Sequence, residues 1–406
     1  MKIFHIKWIR QVLLPSIYIL GVLGIVGSGG GGGGGGDECF PSLSPNCGPI
    51  PVPPPPPSSS TISFNGKVSS IAPALDSSDD VYVGGFFTIY KNSAANRIAR
   101  LNNDGSLDTG FITGTGFDNT VDIVAPAVDG SGDVYVGGRF TGYNGTAVSY
   151  IARLNLDGTL DTDFDTGTGF EARVNMIAPA IDGSGDVYIG GEFTTYNGMM
   201  LGSGLIRLND DGSLDLGFST GSGWGEDVIV TATDGSGDVY VTRDSSPYIA
   251  RLNDDGSVDT GFDTGLSGFD EIVRSIAVSN DVGGDVYVAG FFNDYDGSAV
   301  SGLARLNNNG SLDTGFVTDF GFVGWGNFIT PAIDSSGDIY VDSNRSGEIV
   351  RLNANGSIDT GFDPFLNFRN QPDAVAIATD GSNDVFVGAG FLLTNSNMVR
   401  LTPTGR

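Results

Sequence analysis

The stretch Asp129-Gly130-Ser131-Gly132-Asp133-Val134-Tyr135-Val136-Gly137-Gly138 decides how the chain is read. A short β-branched and aromatic run, bounded by an Asp/Gly/Ser cluster before it and a diglycine after it, is a strand between two turns. It recurs. Counterparts begin at Val81, Val187, Val239, Val286, Ile339 and Val385, and successive copies lie 53, 53, 52, 47, 53 and 46 residues apart. A period near 50 marks an array of units, none of which can bury its faces alone.

Working outward from Val134, each unit reads as four strands. In the second copy these are A over 121–128, B from Val134, C over 150–155 and D over 160–164. Strand A carries alanines and, in four copies, a proline: Pro73, Pro126, Pro179 and Pro331. Proline has no N–H, so it fits a strand with one unpaired edge, and A is placed innermost. Radial repetition of four-stranded antiparallel sheets is a β-propeller. The expected fold is therefore all-β: a seven-bladed β-propeller of four-stranded antiparallel blades. The last unit stops at Arg400–Arg406 without a D strand, while Thr61-Ile62-Ser63-Phe64 precedes the first A strand. The N-terminal strand is accordingly expected to supply the D strand of the last blade, with Phe64 matching the phenylalanine that ends every other D strand.

Strands C and D flank an Asn-x-Asp-Gly-Ser turn. Its geometry sets Arg100 across from Asp108, Arg153 from Asp161 and Arg305 from Asp313. Every C strand carries this arginine, including Arg207, Arg251, Arg351 and Arg400. Cross-strand ion pairs at the blade rim are the expected role.

Composition narrows the function. The 406 residues carry a formal net charge of −28, and beyond the leader the only lysines are Lys67 and Lys91. So acidic a surface repels nucleic acid and anionic lipid. The single histidine, His5, lies in the leader, which leaves no imidazole base or His-ligated metal in the array. Residues 1–28 combine a basic start (Lys2, Lys7, Arg10) with an apolar run broken by Pro15, as in a signal peptide or signal anchor. Residues 29–60 join eight glycines to a proline-rich stretch, a floppy-then-stiff spacer. They also hold Cys39 and Cys47, able to close one small disulfide loop in an oxidising compartment. The array occupies 61–406.

Val136-Gly137-Gly138-Arg139-Phe140-Thr141-Gly142-Tyr143-Asn144-Gly145, then Ile151-Ala152-Arg153-Leu154-Asn155 and Gly158-Thr159-Leu160-Asp161-Thr162-Asp163-Phe164, resembles the delta-60 repeat of bacterial secreted and surface β-propellers. The diglycine is distantly similar to kelch. The resemblance implies a propeller outside the cytoplasm and no settled activity.

In such a blade the A–B and C–D turns emerge on one face, and the B–C and D–A loops on the other. The first set is nearly identical in every copy; the second differs, as binding loops do. The variable set carries rings: Tyr90, Tyr143, Tyr196 and Tyr295 from B–C loops, and Phe117, Phe170, Trp224, Phe269 and Trp325 from D–A loops. Acids follow several: Asp118, Glu171, Glu226 with Asp227, and Asp270 with Glu271. Rings beside carboxylates suit a glycan or a protein ligand; they equally suit packing of each loop onto its neighbour. The A–B turns offer an i, i+2, i+4 oxygen set: Asp129, Ser131, Asp133, with Asp182, Asp186, Asp234 and Asp238 in further copies. That spacing matches the first ligands of calcium loops, and it also matches ordinary Asp/Ser turn chemistry. The expectation is a secreted or surface-tethered, non-catalytic binding or adhesion propeller without a cofactor. A calcium-stabilised matrix protein and a glycan-cleaving enzyme are the alternatives.

Overall fold

Val134, Tyr135 and Val136 are buried whichever way their side chains face, because their strand is the central one of its sheet. Strand A (Val121–Pro126) pairs antiparallel with B (Val134–Gly138), and B with C (Ile151–Leu154). The structure, a computed structural model, describes residues 61–221, 224, 228–243, 245–280, 283–318, 328–343, 348–363, 372–389 and 397–405. The leader, the spacer with Cys39 and Cys47, and Glu226, Asp227 and Trp325 lie outside the described residues.

Among these residues all regular structure is β. Six sheets have three strands, one has four, and four two-stranded ribbons accompany them. Innermost strands after the second unit are Val174–Pro179, Ile229–Thr231, Val273–Val278, Ile329–Pro331 and Ala374–Ile377; Lys67–Pro73 precedes it. Each forms the edge of its sheet. Each also packs against the innermost strand of the next unit, and Lys67–Pro73 packs against Ala374–Ile377. The Ser70 hydroxyl accepts from Val124 N, and Ser275 from Ile329 N, which satisfies edge amides between units.

The expected D strand is shorter than the sequence reading. Leu160 makes one bridge to Leu154, and the same single bridge recurs at Leu107, Leu214, Val258, Leu312 and Ile358. The reason is turn chemistry. The carboxylate of the next aspartate accepts a hydrogen bond two residues on, as in Gly110 N to Asp108 Oδ1 and Asp163 N to Asp161 Oδ1, and this bends the chain away. Strand A also stops at Pro126, and C spans 151–154.

The four-stranded sheet joins the two ends of the array. Thr61–Ile62 pairs with Met398–Leu401 through Thr61 opposite Val399 and Ile62 opposite Met398. Phe64, however, does not match the phenylalanines at 111 and 164. It bridges Tyr90 as Phe117 bridges Tyr143, because it stands four residues before Val68 of its inner strand, as Phe117 stands before Val121.

The diglycine has two separate causes. A Cβ on Gly137 would meet Val174 Cγ1 at 2.7 Å and Ile177 Cδ1 at 3.0 Å, so this position admits the next unit's inner strand. A Cβ on Gly138 would strike the Thr120 carbonyl and lie 3.0 Å from Val121 Cα. The backbone comes that close because strand A bulges there, between Val121 and Ile123. Gly388 in the last unit faces Val68 and Ile71 of the first in the manner of Gly137.

Candidate functional site

The rings expected on the variable face are core residues. Phe117 stacks on Phe140 (centroids 4.2 Å) and Tyr143 (4.5 Å), and Phe170 on Phe193 (4.2 Å) and Tyr196 (4.7 Å). Phe269 does the same with Phe292 and Tyr295, and Phe64 with Phe87 and Tyr90. All are at most 3% exposed. Each tyrosine hydroxyl reaches back to a C–D turn: Tyr90 to Gly105 O, Tyr143 to Gly158 O, Tyr196 to Gly212 O, Tyr295 to Gly310 O. Trp224, 8% exposed, donates Nε1–H to Thr220 O and is covered by the Arg243 guanidinium at 4.7 Å. These rings therefore form no surface platform. They recur because, in each unit with a B–C ribbon, the segment before the inner strand is fastened to that ribbon.

The acids beside them have the same task. Asp118 accepts from Thr141 N and Oγ1, and Asp270 from Asn293 N and Asp294 N. Glu171 accepts from the amides and hydroxyls of Thr194 and Thr195. Burial alone would raise its carboxyl, but the bonds from Thr195 and Thr194 outweigh it and hold the pKa near about 2. Asn65 fills this position in the first unit. In return Asn144, Asn197 and Asp296 on the ribbons accept from the amides of Thr115, Thr168 and Leu266 on the D–A loops.

The A–B oxygens are occupied by arginine. Arg251 sets Nη2 at 2.5 Å from Asp234 and 3.0 Å from Ser236 Oγ, and Nε at 2.8 Å from Asp238. Arg100 does this with Asp76, Ser78 and Asp80, Arg351 with Asp334, Ser336 and Asp338, and Arg400 with Asp380, Ser382 and Asp384. The i, i+2, i+4 set thus cradles a guanidinium. Ser131 likewise serves its own turn: its amide donates to Asp129 Oδ1 and its Oγ accepts from Asp133 N, as Ser184 does between Asp182 and Asp186. Among the described residues, no group of three or more His, Cys, Asp or Glu stands close enough to hold a metal.

The arginines use two poses. Arg153 sits 2.5 Å from Asp161 and Arg305 Nε 2.6 Å from Asp313, as the hairpin arithmetic predicts, and Arg207 meets Asp215. Arg100 departs from it, at 3.4 Å from Asp108 and closer to Asp76 and Asp80. In the first pose Nη1 reaches the next unit: Arg153 to Asp210, Arg207 to Asp254, Arg305 to Ala354 O. Strand B adds a second link the sequence reading missed. Tyr82 donates to Gly132 O, Tyr188 to Gly237 O and Tyr287 to Gly337 O, each in the next unit's A–B turn. Tyr as the second residue of six B strands, with Phe386 in the seventh, was its signal.

What remains open on the B–C/D–A side is of two kinds. The ribbon strands Ser93–Ala94, Thr146–Ala147, Met199–Met200 and Ser298–Ala299 are exposed. At the inner-strand ends lies a polar set that sequence reading also missed. Asp122 is 3.3 Å from Arg139, Arg173 2.7 Å from Glu192, and Lys67 2.7 Å from Asp373. Arg274 covers Phe291 at 4.9 Å. Ser69, Asp122, Asn175 and Arg274 are the bulged residues of their A strands. Burial pushes the Asp122 carboxyl up, against the pull of Arg139, Arg173 and Lys67.

Repeated sheets whose innermost edges pack on one another define the chain as an all-β propeller protein. Its repeats match a β-propeller family: the model described as "Domain of unknown function (DUF5122) beta-propeller" aligns with residues 78–111, 130–164, 183–218, 232–262, 284–316 and 336–362. No curated protein matches the chain. Among solved structures it is similar to the crystal structure of the WD40 β-propeller domain of Doa1, with TM-score 0.51 and 16% identity over 84% of this chain and 95% of that one. A crystal structure of the mitotic checkpoint complex gives TM-score 0.52 and 12% identity over 85% and 95%. At such identities the likeness is one of fold.

Proposed function

We propose that this is a seven-bladed propeller of the bacterial delta-60 kind, its fourth strands reduced to short stubs and its last blade completed by Thr61–Ile62. Exported by residues 1–28 and carried on the spacer at 29–60, it acts outside the cytoplasm, secreted or held at the cell surface. There it is a non-catalytic binding or adhesion module for a glycan or protein, needing no cofactor. One observation carries the reading: the two faces differ in how strictly they repeat. The A–B and C–D turns reproduce their hydrogen bonds from unit to unit, such as Asn102 N to Ser106 O and Asn253 N to Ser257 O. The B–C segments vary. Among the described residues, ribbons stand in four units, with Lys91-Asn92, Asn144-Gly145, Asn197-Gly198 and Asp296-Gly297 at their tips. In the fourth unit a short turn replaces the ribbon, closed by Tyr248 N to Ser245 O and Arg243 N to Tyr248 O. A constant scaffold under a variable rim is how binding loops are commonly displayed. Met199 and Met200, 50% and 77% exposed, are apolar side chains on that rim.

The test is binding of the full chain to a glycan array and to surface-protein extracts, repeated with Met199→Ser/Met200→Ser and with the fourth-unit turn grafted over the ribbon at 194–202. Loss of captured ligands in either variant supports the face. Retention of every ligand in both, with native melting, removes it.

A further inference from the structure

The cations of this acidic chain are distributed unevenly. Seven arginines, one per C strand, are enclosed by the aspartates of their own and adjoining turns. The other described cations are Lys67, Lys91, Arg97, Arg139, Arg173, Arg243 and Arg274. Of these, Lys67, Arg139 and Arg173 come from three successive units and act together on one carboxylate, that of Asp122. The arrangement is geometric. Asp122 lies on the bulge of an edge strand, Arg139 follows the B strand paired with it, and Lys67 and Arg173 begin or precede the inner strands on either side.

This cluster is not satisfied within itself. The Arg139 ion pair leaves Asp122 Oδ2 without an aligned hydrogen bond. Arg173 binds Glu192 through Nη2 while its Nε has no acceptor, and Asn175 Oδ1 has no donor. Buried polar atoms without partners are uncommon in folded proteins, and each one destabilises the fold unless something completes it. Here one orphaned donor and two orphaned acceptors stand on neighbouring inner strands beside half-exposed guanidinium and ammonium groups. Arg139 and Lys67 side chains are 51% and 47% exposed, so the cations are open to solvent while the three orphaned atoms beside them are covered.

A ligand that completes this set must carry negative charge for the cations and hydroxyl donors for Asp122 and Asn175. We propose that the inner-strand end of the B–C/D–A face, around Asp122, Arg139, Arg173 and Asn175, binds the uronate residues of an acidic glycan. The carboxylate faces the two guanidinium groups, with Lys67 adding long-range attraction. Ring hydroxyls donate to Asp122 Oδ2 and Asn175 Oδ1, both covered in the free chain, once the exposed Arg139 side chain turns to the ligand. This deepens the binding reading above and rests on it, but assigns the contact to the inner polar set instead of the outer ribbons.

The probes are tetragalacturonate and its full methyl ester, which lacks the charge and carries a methyl on each carboxyl, titrated calorimetrically into the full chain at low and moderate salt. The acid should bind at least tenfold more tightly than the ester, and more weakly as salt rises. Arg173→Gln and Arg139→Gln should each weaken acid binding by about tenfold or more, and Asn175→Ala by several-fold. Val128→Ser, an exposed residue on the opposite face, should leave it unchanged. Melting curves identify any variant that fails to fold, and two arginine positions keep the test independent of one such failure. Equal binding of acid and ester, no binding of the acid, or full affinity in folded Arg173→Gln and Arg139→Gln overturns the assignment. So does competition by inorganic phosphate at the same concentration as the saccharide, which would make this an anion site only. Binding that survives both arginine variants but is lost in Met199→Ser/Met200→Ser overturns the inner site while keeping the face.

Discussion

Arg400 Nη1 donates to both the backbone carbonyl and the side-chain oxygen of Asn103, 297 residues earlier, at 2.6 Å each. Asn103 stands in the first C–D turn where Asp210 stands in the third, so the last unit grips the first as Arg153 of the second grips the third. Arg400 is also enclosed by Asp380 and Asp384. Removing the cation leaves two poorly solvated carboxylates, and Arg400→Ala is expected to cost about 3–5 kcal/mol. Asn103→Ala keeps the carbonyl contact and should cost about 1 kcal/mol or less. Urea denaturation at constant m-value separates the two.

The same turn gives a pH dependence. Burial pushes the Asp380 carboxyl up, but bonds from Ser382 and Arg400 outweigh this and bring it from 3.8 down to about 2. A carboxyl with a depressed folded pKa stabilises the fold above its unfolded value and loses that contribution as pH falls through the folded one. Stability should therefore drop between about pH 4 and pH 2, and Asp380→Asn should flatten that part of the curve while lowering stability at pH 7. An unchanged acid limb in the variant would contradict the assignment.

The two glycines after strand B predict different penalties. Gly137→Ala presses on side-chain methyls of Val174 and Ile177 and should cost about 1–3 kcal/mol. Gly138→Ala collides with backbone at the bulge and should cost at least the upper end of that range. The fifth unit already carries alanine, Ala289, at the first position, and it is 2% exposed. Ala289→Gly should lose about 0.5–1 kcal/mol, since glycine within a strand has more freedom to surrender. Thermal melts of the three variants give the order.

Phe117→Ala and Trp224→Ala should behave as core truncations, each losing about 3–5 kcal/mol. In protein that remains folded, ligand affinity should change far less than stability. A variant with native melting and abolished binding would return these rings to the binding surface.

Much of the architecture was legible because a repeat reports itself many times over. The B strand, the inner proline-bearing strand and the C–D hairpin arithmetic all follow from local chemistry present in each unit, and Arg153 with Asp161 lies where that arithmetic puts it. The rings misled for a related reason. Phe117 and Tyr143 lie in loops, and loops are normally exposed, but a contact between D–A and B–C segments cannot be read from either alone. Asp234-Gly235-Ser236-Gly237-Asp238 likewise gives no sign that Arg251, thirteen residues past its last aspartate, fills the cradle. The polar inner set was missed because Asp122, Asn175 and Arg274 differ in chemistry and share only position, and a position becomes visible once the bulge is seen.

The grip of each unit on its successor has a final consequence. In a linear stack of repeats the outermost members have one neighbour instead of two, and melting begins there. Here Gly388 receives Val68 and Ile71, Lys67 pairs with Asp373, and Arg400 holds Asn103. Among the described residues, the first and last units are held to one another by these contacts, at the two places where a linear stack would begin to fray. Severing one exposed turn and joining the old ends to each other through a short linker would preserve nearly every contact, so a circularly permuted chain should reach the same structure.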